Sequence, residues 1–207
     1  MWLDRTEAGT QLANELALRG YGEIRDAIVL GVPRGGVEVA RQVADRLKLP
    51  LDLVVVRKIG SPGAPEFAAG AVDPDGRVYA NAFANVSDEW LRTAAVAEHA
   101  EVLRRMDAYR CGRPAPVLKG RTVIVVDDGI ATGLTAQAAL RWLRGLGVAR
   151  LAIAAPVMAP DTVKRLAQDA DDVVTLQAPA GFASVGQYYV QFPQLSDVDV
   201  AHLLAGT

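Results

Sequence analysis

Short, uninterrupted apolar runs separated by amphipathic stretches constrain the fold of this chain more than any other feature. The amphipathic stretches between the runs carry apolar residues at helical spacing, for example at Val37, Ala40, Val43 and Leu47. Continuous apolar runs indicate strands that are covered on both faces, and their alternation with helices predicts a mainly parallel, twisted sheet. We therefore predict an α/β fold with helices on both faces of the sheet. The predicted strands are 27–32, 51–56, 122–126, 151–157 and 172–176.

Composition narrows the class of protein further. The chain has 207 residues, a formal net charge of −2, 22% charged residues and 51% hydrophobic residues. This balance argues against a basic nucleic-acid-binding module and against a disordered chain. No apolar run approaches the roughly 18 residues of a membrane span, and the N-terminus lacks a signal-like apolar stretch. Cys111 is the single cysteine, which excludes an internal disulfide. We expect a cytoplasmic protein without membrane or nucleic-acid partners.

Three segments do not fit the alternation of strands and helices. Residues 4–18 predict an amphipathic N-terminal helix. Residues 59–78 hold many glycines and prolines and predict a long loop, with a turn at 73–76; we treat 59–80 as a lid loop or hairpin. Residues 87–110 predict an inserted helix with Ser87 as its N-cap. The tail, 178–207, begins with a stretch rich in glycine and aromatic residues that we expect to cap the sheet.

The most informative motif is VIVVDDGIATGLTA at 123–136, where an apolar strand ends in Asp127 and Asp128. Acidic side chains at the carboxyl end of a parallel strand lie in the crevice where such sheets bind ligands. Carboxylates only accept hydrogen bonds, so the pair suits a diol or a hydrated Mg²⁺. Gly129 and Gly133 allow turns in which successive amides converge on an anion at a helix N-terminus. Acids and amides this close together predict a site for a ribose 5-phosphate.

Two other interpretations of this motif remain open. Asp-Asp-Gly is also a strand-ending turn, and Thr135 would then be only a helix cap. A receiver-like domain also places paired acids at a strand end to bind Mg²⁺. Neither alternative requires the second glycine together with Thr132 and Thr135.

Two further strand ends carry candidate anion-binding groups. Arg34, Gly35 and Gly36 follow the first strand, and Arg suits bidentate contact with phosphate. Arg57 and Lys58 follow the run at 51–56, which we expect to end there. Since the carboxyl ends of parallel strands meet at one sheet edge, both sites would face the acidic pair. The alternatives are a tight strand–helix turn for the first site and a solvated strand end for the second.

The motif at 123–136 closely resembles the phosphoribosyl-pyrophosphate motif of type I phosphoribosyltransferases. The resemblance implies that Asp127 and Asp128 hold the ribose 2′- and 3′-hydroxyls, with Mg²⁺ near them mainly through substrate and water. It also implies that the motif loop wraps the 5′-phosphate. The residues of that loop are Gly129, Ile130, Ala131, Thr132, Gly133, Leu134 and Thr135.

The resemblance extends beyond the motif and covers most of the chain. It assigns Arg34, Gly35, Gly36, Arg57 and Lys58 to the pyrophosphate, with a non-proline cis peptide expected near Arg34–Gly35. Asp127, Asp128, Arg34 and Lys58 would be the catalytic residues, and 61–69 would close over the reaction. The tail resembles the hood of an uncharacterised bacterial subgroup.

In that hood, Phe182 or Tyr188 would stack on the acceptor, although both could instead pack the cap onto the core. The sequence departs from hypoxanthine-guanine enzymes at Ala131, where they carry an aspartate. The resemblance implies one domain over 1–207, forming a homodimer. Its function would be transfer of a phosphoribosyl group to a nitrogenous acceptor, with Mg²⁺. A non-catalytic sensor of the same sugar pyrophosphate, or a hydrolase acting in the same cleft, would carry the same motif.

Overall fold

The computed structural model describes residues 1–206. It contains six α-helices and eight strands, with short 3₁₀ turns at Tyr21–Glu23 and Val185–Tyr188. In chain order the elements are α1 (Arg5–Leu18), β1 (Ala27–Gly31), α2 (Gly35–Leu47), β2 (Leu51–Leu53), β3 (Arg57–Ser61), β4 (Ala64–Val72), β5 (Val78–Ala80), α3 (Asp88–Arg110), β6 (Thr122–Val126), α4 (Leu134–Gly145), β7 (Arg150–Val157), α5 (Pro160–Leu166), β8 (Asp172–Gln177) and α6 (Asp197–Ala205).

Five strands form a parallel sheet in the order β2-β1-β6-β7-β8. β1 and β6 lie side by side, with Ala27 opposite Thr122 and Gly31 opposite Val126. Every residue of these two strands is buried, as expected for continuous apolar runs in a sheet covered on both faces. The predicted α/β fold is confirmed.

Helices cover both faces because successive side chains of a strand point to opposite sides. Ile28 and Leu30 of β1 pack with α4 and α5 in one apolar cluster. Val29, between them, packs in a second cluster with α1 and α2. Within residues 1–206, no helix combines the length and the apolar character needed to cross a membrane.

Residues 59–80, expected to form a lid loop or hairpin, are folded into strands, so the long-loop prediction was wrong and the strand pairing agrees with the hairpin alternative. β3, β4 and β5 form a three-stranded antiparallel sheet, with the predicted turn at 73–76 between the last two strands. Gly63, at φ +71°, makes the first reversal. The first four residues of β4 are exposed and the last four are buried. Glycine and proline content concealed this sheet because half of its longest strand has no apolar face.

The apolar run at 51–56 also ends differently from the prediction. β2 stops at Leu53, and Arg57 and Lys58 open β3 of the small sheet instead of closing a strand of the main one. The chain leaves the main sheet because β2 lies at its edge, where one side has no partner strand. The two cations nevertheless remain near the carboxyl end of β1.

The inserted helix and the tail pack against each other. α3 begins after its cap at Ser87, whose hydroxyl accepts from the amide of Trp90, and it buries Leu91, Ala95, Val102 and Tyr109. The tail consists of two parts. The turn at Val185–Tyr188 lies near Trp2 and the ends of β7 and β8, whereas α6 packs on α2 and α3. Only the first part occupies the position expected of a hood.

Candidate active site

A polar cleft of about 350 Å³ opens where β1 and β6 end. It brings together seven of the residues that the sequence singled out, from the segments that follow β1 and β6 and from the start of β3, and it adds Arg105 from α3. The residues that line this cleft are Val32, Pro33, Arg34, Gly35, Val56, Arg57, Lys58, Arg105, Asp127, Asp128 and Thr135.

Asp127 and Asp128 lie at the edge of the main sheet formed by the carboxyl ends of its strands, directly after β6. The amide of Asp127 donates to the carbonyl of Ala154, which continues the pairing with β7. Oδ1 of Asp127 accepts from the amide of Asp128 at 2.8 Å. Burial and the adjacent Asp128 charge raise the pKa of Asp127 well above its ordinary value, and burial also raises the pKa of Asp128. The protein alone therefore disfavours the ionised form of both acids, and a cation or a hydrogen-bond donor in the cleft would stabilise it.

The two glycines at the start of α2 allow that helix to approach the acids closely. A β-carbon at Gly36 would lie 2.8 Å from both Cα of Asp127 and the carbonyl oxygen of Val126. Gly36 is buried and does not line the cleft, whereas Gly35 does. The non-proline cis peptide joins Pro33 to Arg34, one bond earlier than expected.

The loop between β6 and α4 presents a series of free amides. Within residues 1–206, the amides of 131–135 donate to no protein group. The carbonyl of Ala131 accepts from Thr162 Oγ1 at 2.5 Å, and that of Thr132 accepts from Arg165 at 2.8 Å. These two contacts with α5 hold the loop in place. The amides of 131–135 remain free, so they could bind an anion at the N-terminus of α4.

The first two residues of the predicted phosphate loop have a structural role. The amide and carbonyl of Ile130 pair with Val157 and Ala159. Gly129 lies so close to Val185 of the hood turn that a β-carbon would collide with it. The amides of 131–135 are thus the part of the loop that could bind an anion.

Three further cationic side chains line the cleft, and acids from α3 and α6 hold two of them. Arg57 contacts Glu98 at 2.6 Å, and Arg34 lies 3.9 Å from Asp197. Lys58 Nζ donates to the carbonyl of Glu66 in β4 at 3.1 Å. All three cations remain partly exposed, between 30% and 41%, so they are available to an anionic ligand.

Sequence reasoning missed three residues that shape this site. Arg105 lines the cleft from α3 and is held by Glu101 at 2.6 Å. Arg5 donates to Asp128 Oδ2 at 2.7 Å, and Tyr189 donates to the carbonyl of Asp128 at 2.6 Å. An arginine in the first turn of a helix is electrostatically disfavoured, and this placement is the signal in the sequence that could have pointed to Arg5.

The aromatic residues predicted to contact the acceptor pack on each other. The rings of Phe182 and Tyr188 lie 5.5 Å apart, next to the cluster around Trp2 and Tyr189. Neither lines the polar cleft. Both remain half-buried, so each retains an accessible surface.

The chemistry of the acidic pair suits a magnesium ion. Mg²⁺ in phosphate sites is held by one or two carboxylates together with substrate oxygens and water. Within residues 1–206, no three His, Cys, Asp or Glu side chains are grouped to enclose a metal. Asp127 and Asp128 therefore fit an ion that reaches the protein mainly through substrate and water.

A parallel sheet whose edge combines paired acids, free amides at a helix N-terminus and several cations defines a sugar-phosphate-binding α/β protein. Comparison with known proteins identifies the family: residues 3–192 match the model of the phosphoribosyl transferase domain, and the chain belongs to that family.

Individual relatives agree with this assignment. The Mycobacterium tuberculosis protein named "Putative phosphoribosyl transferase Rv0571c" is 44% identical over 97% of this chain and is matched over 46% of its own length. The chain thus spans about half of that relative. The crystal structure of TT1426 from Thermus thermophilus is 42% identical, with a TM-score of 0.83 and coverage of 99% and 98%. AQ2163 from Aquifex aeolicus, 13% identical with a TM-score of 0.51, covers 98% of this chain and 85% of its own, and shares the fold.

Proposed function

We propose that this chain transfers the phosphoribosyl group of 5-phosphoribosyl 1-pyrophosphate to a nitrogenous acceptor and releases pyrophosphate. One observation carries the proposal. Five consecutive free amides at 131–135 follow a half-buried acid pair after two intervening residues, beside a cleft that is lined by the acids and by four cations. A phosphate monoester, a vicinal diol and a diphosphate are the three groups that this set complements.

Each group of the substrate would have its own set of residues. The amides of 131–135 and the hydroxyl of Thr135 would bind the 5′-phosphate. Asp127 and Asp128 would accept hydrogen bonds from the ribose hydroxyls. Arg34, Arg57, Lys58 and the Gly35 amide would contact the pyrophosphate, with Gly36 allowing the close approach of α2.

Transfer separates charge, and the cleft is arranged for that separation. As the bond from C1 to pyrophosphate breaks, positive charge develops on the ribose ring and negative charge on the leaving group. Arg34 and Lys58 would stabilise the leaving group, and the carboxylates would lie near the cationic ring. A bound Mg²⁺ would neutralise part of the diphosphate charge. No side chain of the cleft needs to act as a covalent nucleophile.

The acceptor is a separate part of the proposal. Ala131 stands where hypoxanthine-guanine enzymes carry an aspartate, which argues against those purines. Phe182 and Tyr188 are the residues that we propose for the acceptor, through their accessible ring surfaces. Homodimer formation and cytoplasmic location remain predictions of the sequence, to be tested by sedimentation and by cell fractionation.

The proposal is tested by calorimetry and by pyrophosphate release. Asp127→Asn with Asp128→Asn should weaken binding of the sugar pyrophosphate with Mg²⁺ by at least about 10-fold and abolish release. Wild-type protein should release pyrophosphate with one member of a panel of bases. Binding without turnover on any base would favour the sensor, release with water alone would favour a hydrolase, and unchanged affinity of the double variant would contradict the site assignment.

A further inference from the structure

Arg5 lies at a position where both the helix dipole and burial disfavour a cation. It lies in the first turn of α1, just after Asp4, whose side chain caps the helix by accepting from the amide of Glu7 at 2.9 Å. The positive end of the helix dipole repels a cation there. The side chain is also only 6% exposed, so the guanidinium has lost most of its hydration. Specific partners must compensate for both costs.

Those partners belong to the sugar site and to the tail. Nε of Arg5 donates to Asp128 Oδ2 at 2.7 Å, and Nη1 donates to the carbonyl of Pro193 at 2.8 Å. The guanidinium lies over the ring of Phe192, 3.8 Å from its centroid. Glu38 lies 3.8 Å from Nη1. Arg5 thus connects one of the proposed ribose-binding acids to the segment that follows the hood turn.

Asp128 is held a second time from the same segment. The hydroxyl of Tyr189, which is 5% exposed, donates to the main-chain carbonyl of Asp128 at 2.6 Å. The side chain and the backbone of Asp128 are therefore fixed by residues 123 and 61 positions away along the chain.

The N-terminus and the tail are joined to each other around these contacts. The amide of Trp2 donates to the carbonyl of Tyr188 at 2.8 Å, and Val190 donates to Trp2 at 2.9 Å. The amide of Gln191 donates to Leu3 at 2.8 Å. We call residues 2–5 and 188–193 the terminal clamp.

The glycine pair of α2 makes room for the clamp. A β-carbon at Gly35 would lie 2.7 Å from Arg5 Nε and would collide with Asp128 Oδ2. The ion pair and the start of α2 therefore fit together only when this position lacks a side chain.

We propose that Arg5 is a positioning residue of the sugar site: by binding Oδ2, it fixes the Asp128 carboxylate so that the other oxygen is presented to a ribose hydroxyl. Arg5 itself does not touch the substrate. The inference rests on the proposed function, because it gives Asp128 the ribose as its ligand. It also makes the sugar site depend on the terminal clamp.

The test uses Arg5→Lys, which keeps the charge but cannot reach both Asp128 and Pro193 with one nitrogen. We expect affinity for ribose 5-phosphate, measured by calorimetry, to fall by about 10-fold, the effect of one lost charge-assisted hydrogen bond. Affinity for Mg²⁺-pyrophosphate, which the cationic side of the cleft would bind, should change by less than about 2-fold. A residue that merely supported the fold would alter both affinities together or neither.

Arg110→Lys is the matched control. Arg110 is also a buried arginine, 12% exposed, paired with Asp52 through Nε at 3.1 Å, and it does not line the polar cleft. The Arg110→Lys variant should lose as much stability as Arg5→Lys and keep the wild-type affinities for ribose 5-phosphate and for Mg²⁺-pyrophosphate. Should Arg5→Lys fail to fold, Tyr189→Phe decides the question, because it removes only the hydroxyl that holds the backbone of Asp128; it should weaken ribose 5-phosphate binding selectively.

Asp128→Asn separates failure of the inference from failure of the proposed function. If Asp128→Asn weakens ribose 5-phosphate binding and adding Arg5→Lys weakens it little further, the positioning role is supported. If Asp128→Asn weakens binding while Arg5→Lys and Tyr189→Phe bind like the wild type, the inference is overturned and the proposed function stands. If Asp128→Asn binds ribose 5-phosphate normally, the proposed sugar site is wrong and the inference fails with it.

Discussion

Asp127 is the residue at which function and stability conflict most directly. It is half-buried beside Asp128, and its pKa is raised first by the loss of hydration and second by the neighbouring charge. A group with a raised pKa contributes stability in its protonated form, below its ordinary pKa, and that contribution is lost as the pH rises through the raised pKa. At neutral pH folding must therefore either protonate Asp127 or bury its charge, and both cost stability.

Asp127→Asn is expected to stabilise the free protein at pH 7 by about 1–2 kcal/mol, the usual cost of desolvating a poorly compensated polar group. The asparagine carbonyl can still accept from the amide of Asp128, so the local turn is kept. The gain should shrink as the pH falls towards the ordinary pKa of aspartate, because the wild-type carboxyl is then neutral as well. Chemical denaturation of both proteins between pH 4 and pH 8 measures it.

If Asp127→Asn were only as stable as the wild type at pH 7, or less stable, the predicted stabilisation would be contradicted. Asp161→Asn is a suitable control, because the Asp161 side chain is 89% exposed and its ion pair with Lys164, at 3.6 Å, is on the surface. It should leave the pH dependence of the free energy of unfolding unchanged.

The roles of the individual glycines were only partly predictable. Gly35 and Gly36 were expected to offer amides to an anion, and the structure gives Gly36 a different role, the close packing of α2 against Asp127. The sequence shows that a residue lacks a side chain. It does not show which neighbour occupies the space, because that neighbour lies about 90 residues away.

Among the elements, α3 is the one whose relation to the cleft the sequence did not predict. The sequence gives its length and its N-cap but no reason to connect it with the cleft. The structure places Arg105 in the cleft, with Glu101 as its anchor. Hydrogen bonds from Arg104 and Arg105 hold the pKa of Glu101 at about 2, so the anchor stays ionised at every physiological pH. The inserted helix thus contributes to the cationic side of the cleft.

Arg105→Gln is expected to weaken binding of Mg²⁺-pyrophosphate by about 10-fold, because it removes a charge from the cleft. Arg104→Gln is the matched control: it breaks a contact with the same Glu101 at 2.6 Å, but Arg104 is 51% exposed and does not line the cleft. Calorimetric titration of both variants should show a loss only for Arg105. Equal losses would mean that the helix acts through its stability and not through this side chain.

At the scale of the whole molecule, the small sheet of β3, β4 and β5 has the features of a segment that opens locally. The pairing of β3 with β4 is irregular at Ile59, Gly60 and Ser61, and the first half of β4 buries no side chain. Few buried contacts and exposed hydrogen bonds are the features of a segment that opens locally. Lys58, bound to the carbonyl of Glu66, connects the cleft to this half of the sheet.

We expect binding of the sugar pyrophosphate with Mg²⁺ to slow amide hydrogen exchange at 61–67 by about 10-fold or more, because closure over the ligand would bury these amides. The buried end of β4, at 69–72, serves as the internal control and should exchange at the same rate with and without ligand. Hydrogen-exchange mass spectrometry separates the two segments. Unchanged exchange at 61–67 would show that the small sheet does not act as a lid.

The sequence by itself determined the parallel sheet, its helical layers and the loop of free amides after the acid pair. Apolar periodicity is a local property, and consecutive amides converge because the same few residues also form the start of α4. Only the tertiary structure decided that Arg5 and Tyr189 hold Asp128 and that Arg105 lines the same cleft. Their positions depend on how α1, α3 and the tail pack against the sheet edge, and side-chain spacing within a segment carries no information about which distant segment it will contact.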